Sequence, residues 1–335
     1  FLAEMRREVF AGREGFLTVG EAPGITAERN EYITDPANGE LDMLFLFEHV
    51  DFDCDGVKWK PRALDLPGLK RIMASYQNAV AEAGWASLFT GNHDQPRVVS
   101  RWGDDTSEEN RVLSAKALGL MLHLHRGTPY VYQGEELGMT DAHFTSLDQY
   151  RDLESINAFR QRVEEAKVQD AESMLVGLAA RSRDNARTPM QWDASTYAGF
   201  TAPDATTEPW ISVNPNHAEI NAAGEFDDPD SVYAFYKKLI ALRHGNEVVA
   251  AGDWQLIDAQ DEHVYAFTRT LNDDRLLVMV NLSGRTVDVP AASAALLPDT
   301  LDESAIVIGT YDAAHAVASL ASRELAAWEG VVVKL

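Results

Sequence analysis

The stretch Leu88-Phe-Thr-Gly-Asn-His-Asp-Gln-Pro-Arg97 limits the possible folds more than any other part of this chain. A short apolar run stops at His93-Asp94, followed by a proline and an arginine. Buried parallel strands read this way, apolar along their length because both faces are covered and polar only where they end. In barrels that carboxyl end is where active sites are built. A second stretch, Gly15-Phe-Leu-Thr-Val-Gly-Glu21-Ala-Pro-Gly24, has the same shape: an apolar run, one carboxylate, then a Pro-Gly break. Either stretch alone reads equally well as a helix cap in an ordinary α/β protein. Together, Glu21 and Asp94 form a pair of strand-end carboxylates suited to glycosidic-bond chemistry. One carboxyl protonates the leaving oxygen and the other meets the positive charge that develops on the sugar.

The rest of the chain fits that reading. Strands are expected at Phe16 to Val19, Leu41 to Phe47, Ser87 to Thr90 and Thr128 to Tyr132. Helices are expected at Leu69 to Ala83, where Leu69, Ile72, Met73, Tyr76 and Val80 share a face, and at Val112 to His125. Alternation of this kind means βαβ units and a parallel sheet. A polar helical insertion occupies roughly residues 140–185. A strong helix runs from Asp230 to Arg243, with Asp230 or Ser231 as its cap. Past residue 250 the pattern turns to short alternating strands: Val264 to Thr268, Leu276 to Val280, Ala305 to Ile308 and Gly330 to Lys334. The expected fold class is therefore α/β. Residues 1–250 form the second half of a (β/α)8 TIM barrel, and residues 251–335 a small antiparallel β-sandwich domain. A complete barrel takes about 250 residues for eight strands, and only four strands are legible here.

Charge and composition narrow the partners. The formal net charge of −24 opposes binding to nucleic acid or to an anionic membrane surface. No apolar run approaches the 18 or so residues a membrane span needs. A single cysteine, Cys54, leaves no internal disulfide and no cysteine-based metal site. No cofactor is expected in this chain, and the expected compartment is the cytoplasm. Phe1 to Phe10 reads as the middle of an amphipathic helix, so the chain is expected to begin inside a fold.

Five segments carry a resemblance: Thr18-Val-Gly-Glu-Ala-Pro-Gly24, Phe45-Leu-Phe-Glu-His-Val-Asp51, Asn92-His-Asp-Gln-Pro-Arg-Val-Val-Ser100, Gly127-Thr-Pro-Tyr-Val-Tyr-Gln-Gly-Glu135 and Arg187-Thr-Pro-Met-Gln-Trp192. In that order they resemble the α-amylase family of retaining glycoside hydrolases (family 13), in its oligo-1,6-glucosidase and α-glucosidase branch. The resemblance implies an exo-acting α-glucosidase that cuts α-1,6 or α-1,4 bonds at the non-reducing end of short gluco-oligosaccharides. Glu21, ending the fifth barrel strand, would be the general acid/base. Asp94, after the seventh strand, would stabilise the transition state in subsite −1. His93 and Arg187 would contact the same glucose, and Arg97 is placed with them as a substrate-binding residue. A general acid should sit in an apolar surround, here Phe16, Leu17 and Val19, which would raise its pKa.

One part of the family pattern is absent. The nucleophile, an aspartate in an Asp-Gly-x-Arg-x-Asp segment on the fourth strand, has no counterpart ahead of Glu21. The missing N-terminal half is expected as a separate chain or as sequence outside this one. Two other readings remain open. A sucrose-isomerising or transglycosylating relative would carry an Arg-Leu-Asp-Arg type of loop where this chain reads Phe52-Asp-Cys-Asp-Gly-Val-Lys-Trp-Lys60. A non-catalytic glucosidase-like protein would have lost Glu21, His93 and Asp94.

Weaker signals are read conservatively. Asp53-Cys-Asp-Gly56 mimics the start of a calcium loop but lacks its later ligands, so it is taken as a plain loop. His49, His123, His125 and His143 are taken as ordinary polar residues, and Glu135-Glu136, which could bind substrate, is read first as a structural polar network. Trp102-Gly-Asp-Asp105 reads equally as a sugar-stacking rim or as packing.

Overall fold

The computed structural model describes residues 1–202 and 204–335. Helical turns run from Leu2 to Phe10 and are tied to the body by Arg6, whose Nη1 donates to Asp42 Oδ1 at 2.9 Å. Four short strands follow: β1 (Val19–Glu21), β2 (Met43–Phe45), β3 (Ser87–Leu88) and β4 (Thr128–Pro129). β1 pairs with β2 and β3 with β4, both in parallel. A parallel bridge from Leu44 to Ala86 joins the two pairs into one layer in chain order. Helices Ala27–Thr34, Leu66–Ala79 and Glu108–His123 lie in the connections, as parallel pairing requires.

β1 begins later than its apolar run suggests. The backbone N–H and the hydroxyl of Thr18 both donate to Asp42 Oδ2 at 2.7 Å, which fixes where pairing with the next strand starts. Phe16 and Leu17 fall before that point and are exposed, so they are not the strand core expected of them. Phe16 packs instead against Phe10, with ring centroids 5.4 Å apart.

The helix starts also differ from the apolar periodicity, because capping rather than burial sets them. Asp65 accepts from the Gly68 N–H at 2.9 Å and starts Leu66–Ala79 with a proline in its first turn. Ser107 caps Glu108–His123 through the Asn110 N–H, and Glu108 and Glu109 face the positive end of the helix dipole. That helix is buried on almost every side from Ser114 to His123, so it carries no clean apolar stripe. It lies between the parallel layer and a second sheet.

The second sheet has the order β5 (Asp253–Ile257), β6 (Val264–Leu271), β7 (Asp274–Asn281), β11 (Gly330–Lys334), β9 (Ile306–Gly309), with antiparallel neighbours throughout. A separate ribbon pairs β8 (Val287–Asp288) with β10 (Glu324–Leu325). The turn between β6 and β7 is Asn272-Asp273, with Asn272 at φ 55°, a left-handed value asparagine tolerates.

Alternation splits this sheet into two faces. Tyr265, Phe267, Leu276, Val278, Val280 and Val332 join the main core with Leu118, Leu122 and Leu239. Val264, Ala266, Leu277, Met279, Val331 and Val333 form a second core with Ala316, Leu320 and Leu325. The cover on that outer face is the helix Ala313–Ser322 and the ribbon, not a second large sheet. Two buried cations bind the units together. Lys70 donates to the carbonyls of Asp258 and Asp261, and Arg269 donates to those of Leu124, Val249 and Gly252.

Candidate active site

The carboxyl ends of the four parallel strands meet around one cavity of about 340 Å³. Glu21 enters it from β1, Phe45 and Phe47 from β2, Phe89 and Gly91 to His93 from β3, and Tyr130 to Tyr132 from β4. The wall is aromatic: Phe45 meets Phe89 at 5.3 Å and Tyr130 at 4.5 Å, each edge to face. An apolar concavity with a few polar groups at strand ends is the usual form of a small-molecule site. This wall lies within segments singled out from the sequence, but alternation alone did not reveal which of their residues face inward.

His93, Asp94 and Arg187 come together at the rim. Arg187 Nη2 donates to Asp94 Oδ1 at 2.6 Å, and its Nε donates to the His93 carbonyl at 2.9 Å. His93 Nε2 stands 3.7 Å from Asp94 Oδ2. The Asp94 N–H donates to Asn92 Oδ1 at 2.8 Å, closing the turn that presents the carboxylate. Further groups, not read from the sequence, extend this into a line of alternating charge. Arg183 lies 3.7 Å from Asp94 and 2.9 Å from Glu154, and Lys58 donates to Glu154 at 2.7 Å. On the other side, Arg187 Nη1 approaches Asp152 at 3.7 Å. Glu154 and Asp152 sit in the helical segment 147–181, where nothing but spatial proximity marks them.

Glu21 and Arg97 differ from expectation. Glu21 ends an edge strand paired only with β2 and is exposed, so the apolar surround expected from Phe16, Leu17 and Val19 is not formed around it. Arg97 is buried, and its guanidinium donates to the carbonyls of Gln133, Asn185 and Ala186. These bonds tie the segment after β4 to the short helix Asp184–Arg187, and among the described residues Arg97 makes no hydrogen bond or ion pair with Asp94. Its backbone N–H donates to the buried Asp141 at 2.7 Å.

The Asp53-Cys-Asp-Gly56 segment is a loop held by charge. Arg101 grips Asp53 with two bonds of 2.7 and 2.8 Å, Trp102 Nε1 donates to it at 2.9 Å and Arg181 at 3.1 Å. Trp102 is consequently core, not a sugar platform. Among the described residues no group of three His, Cys, Asp or Glu side chains stands ready to hold a metal ion. No helix among the described residues is long and apolar enough to cross a membrane.

Comparison with known proteins settles the ancestry. The α-amylase catalytic-domain model matches residues 1–252. The chain belongs to the α-amylase family. It is 44% identical over 338 residues to the oligo-1,6-glucosidase of Parageobacillus thermoglucosidasius, covering all of this chain and 58% of that protein. Among solved structures, the trehalose-6-phosphate hydrolase of Bacillus licheniformis superposes with a TM-score of 0.88 at 38% identity, over 99% of this chain and 58% of the other. The isomaltulose synthase of Klebsiella sp. LX3 superposes with a TM-score of 0.86 at 34% identity, over the same shares. This α-amylase family chain thus spans a little under three fifths of the length of the relatives it matches.

Proposed function

We propose that this chain is the C-terminal part of a retaining α-glucosidase acting on α-1,6 or α-1,4 bonds at the non-reducing end of short gluco-oligosaccharides. The observation that carries the reading is the contact of Asp94 with Arg187 at the rim of the strand-end cavity that Glu21 also lines. In this reading β1 to β4 are strands five to eight of a (β/α)8 barrel, residues 140–185 are an insertion over its mouth, and residues 251–335 are a separate β domain. The preceding strands, including the aspartate nucleophile, belong to sequence outside this chain, as a separate chain or a longer one.

The chemistry follows from the placement of the groups. Glu21 gives its proton to the glycosidic oxygen as the bond to the anomeric carbon breaks, and the nucleophile carboxylate bonds to that carbon. Glu21, now ionised, takes a proton from water, whose oxygen displaces the nucleophile and restores both groups. Asp94 faces the oxocarbenium-like centre, with Arg187 and His93 fixing both the carboxylate and the glucose. The aromatic wall supplies the apolar surface a sugar ring stacks on. In the completed barrel, the neighbouring strand gives Glu21 the apolar cover it lacks as an edge residue.

The isomerising reading draws support from the resemblance to isomaltulose synthase. The loop that would decide it argues for hydrolysis. Asp51 and Asp53 here accept bonds from Arg181, and Asp53 also from Arg101, so arginines come to this loop rather than from it.

The test uses an enzyme completed with the four preceding strands. Glu21→Gln is expected to lower turnover of isomaltose or maltose by about 10²- to 10⁴-fold. Turnover of α-glucosyl fluoride, whose leaving group needs little protonation, should fall far less. Equal losses on both substrates would remove Glu21 from the acid role.

A further inference from the structure

Beneath the rim lies a carboxyl that the chemistry above does not use. Glu135 opens the short turn Glu135–Leu137 after β4, behind Gly134 at φ 92°. Its side chain is buried, and neither carboxyl oxygen makes a well-formed hydrogen bond; the donor that faces it is the Tyr132 backbone N–H. Oε1 fills the space beside Gly91 that a side chain would need, 2.5 Å from where a Cβ would stand. Gly91 immediately precedes the turn Asn92–Gln95, which carries His93 and Asp94 and is closed by the Gln95 N–H on the Asn92 carbonyl. A void of about 10 Å³, the size of a single water, is lined by Gly91, Asn92, Gln95, Tyr132 and Glu135. A carboxyl with no well-formed hydrogen bond therefore sits under the backbone that presents His93 and Asp94.

An unpartnered buried carboxyl is much cheaper to hold neutral than charged. Burial pushes Glu135 up to about 8, against the pull of the Arg97 guanidinium and of the Tyr132 backbone N–H, and with a further upward push from Glu136. The other groups facing it are phenols: Tyr132 at the end of β4 and Tyr236 on the helix Val232–Gly245, whose own pKa is raised by burial and by Glu135. Arg97 cannot neutralise the carboxylate without giving up its carbonyl partners Gln133, Asn185 and Ala186.

We propose that the neutral carboxyl of Glu135 is a prop under Gly91 and the Asn92–Gln95 turn it leads into, a positioning residue for Asp94, and that its ionisation loosens that turn. The proposal rests on Asp94 belonging to the site, as argued above. It predicts an alkaline limit to the ordering of Asp94 that is set from below the loop and not by the sugar-facing groups.

The test is residue-resolved amide hydrogen exchange on the 335-residue chain between pH 6 and 9.5, corrected for the intrinsic pH dependence of exchange. The reporter is the Asp94 N–H, with Val278 in the sheet core as control. In the native sequence, Asp94 protection should fall about tenfold or more between pH 8 and 9.5, since an opening linked to one ionisation gains tenfold per pH unit above its pKa. In Glu135→Gln, or in Glu135→Met should the glutamine fail to fold, that step should disappear, with Val278 unchanged. A native chain with no such step would overturn the proposal. So would a step of equal size in the variant, or one shared by Val278. Exchange involves no catalysis, so a failed acid role for Glu21 would leave this outcome untouched.

Discussion

The parallel layer and the antiparallel sheet of this chain are built to different standards of closure. Strands β6 and β7 are eight residues each and are buried over most of their length, with one face in each of two cores. Strands β1 to β4 are two or three residues each, and Phe16, Leu17, Val19 and Val131 at the borders of the layer are exposed. A meander of antiparallel strands supplies its own partners through tight turns, whereas each parallel strand waits for a crossover and for neighbours on both sides. The difference teaches where stability and chemistry lie. The sheet is a self-contained support, and the parallel layer is a scaffold for polar strand ends whose side chains are held by charge rather than by packing.

That contrast can be broken by experiment, and the largest effect is expected in the sheet. Phe267 is fully buried against His125, Trp254 and Tyr265. Phe267→Ala should cost about 3–5 kcal/mol in urea unfolding. A cost below about 1 kcal/mol would mean that the sheet is not the anchor described here.

The second test is the pH dependence of the melting temperature, in which buried histidines and buried carboxyls act with opposite sign. His123 and His125, at the junction with the sheet, are held by burial at about 4 and about 3, and His49 at about 3. Their unfolded forms protonate near 6.5, so the unfolded state gains protons first and stability falls as pH drops from 6.5 toward 3. Glu135 and Asp141, under the loops of the parallel layer, are pushed by burial up to about 8, and Glu225 to about 7. Their unfolded forms ionise near 4, so the unfolded state loses protons first and stability falls as pH rises toward 8, then levels off. The melting temperature should therefore peak between about pH 4.5 and 6.5, where the two slopes oppose each other. A peak above pH 8 would mean that burial does not hold these carboxyls neutral.

The smallest effect belongs to the border of the parallel layer. Leu17→Ser should change stability by no more than about 0.5 kcal/mol, because the side chain is already in water. A larger loss would show that the edge is covered in solution, for instance by self-association.

Much of the site could be read from the chain itself, and the reasons are local. Asn92-His-Asp-Gln-Pro-Arg97 announces a strand end because polar groups and a proline terminate a buried run. His93, Asp94 and Arg187 do meet at the rim. Arg97 was misplaced because a cation beside a carboxylate in sequence reads as its partner. The carbonyls that occupy it come from residues 133, 185 and 186, which no local pattern brings near. Glu154 and Asp152 were missed for the same reason, and Trp102 went to the core because Asp53, far away in sequence, takes its N–H.

The order of residues alone carries the alternation of strands and helices, the change to antiparallel pairing past residue 250, and the polar strand ends. These depend on short-range periodicity and turn chemistry, which a chain carries in its own order. Only the tertiary structure decided which charges pair, which carboxyls are buried without a partner, and where strand β1 begins. Those depend on distances between residues far apart in the chain. The Glu135 carboxyl under Gly91 is set by packing from two strand ends at once.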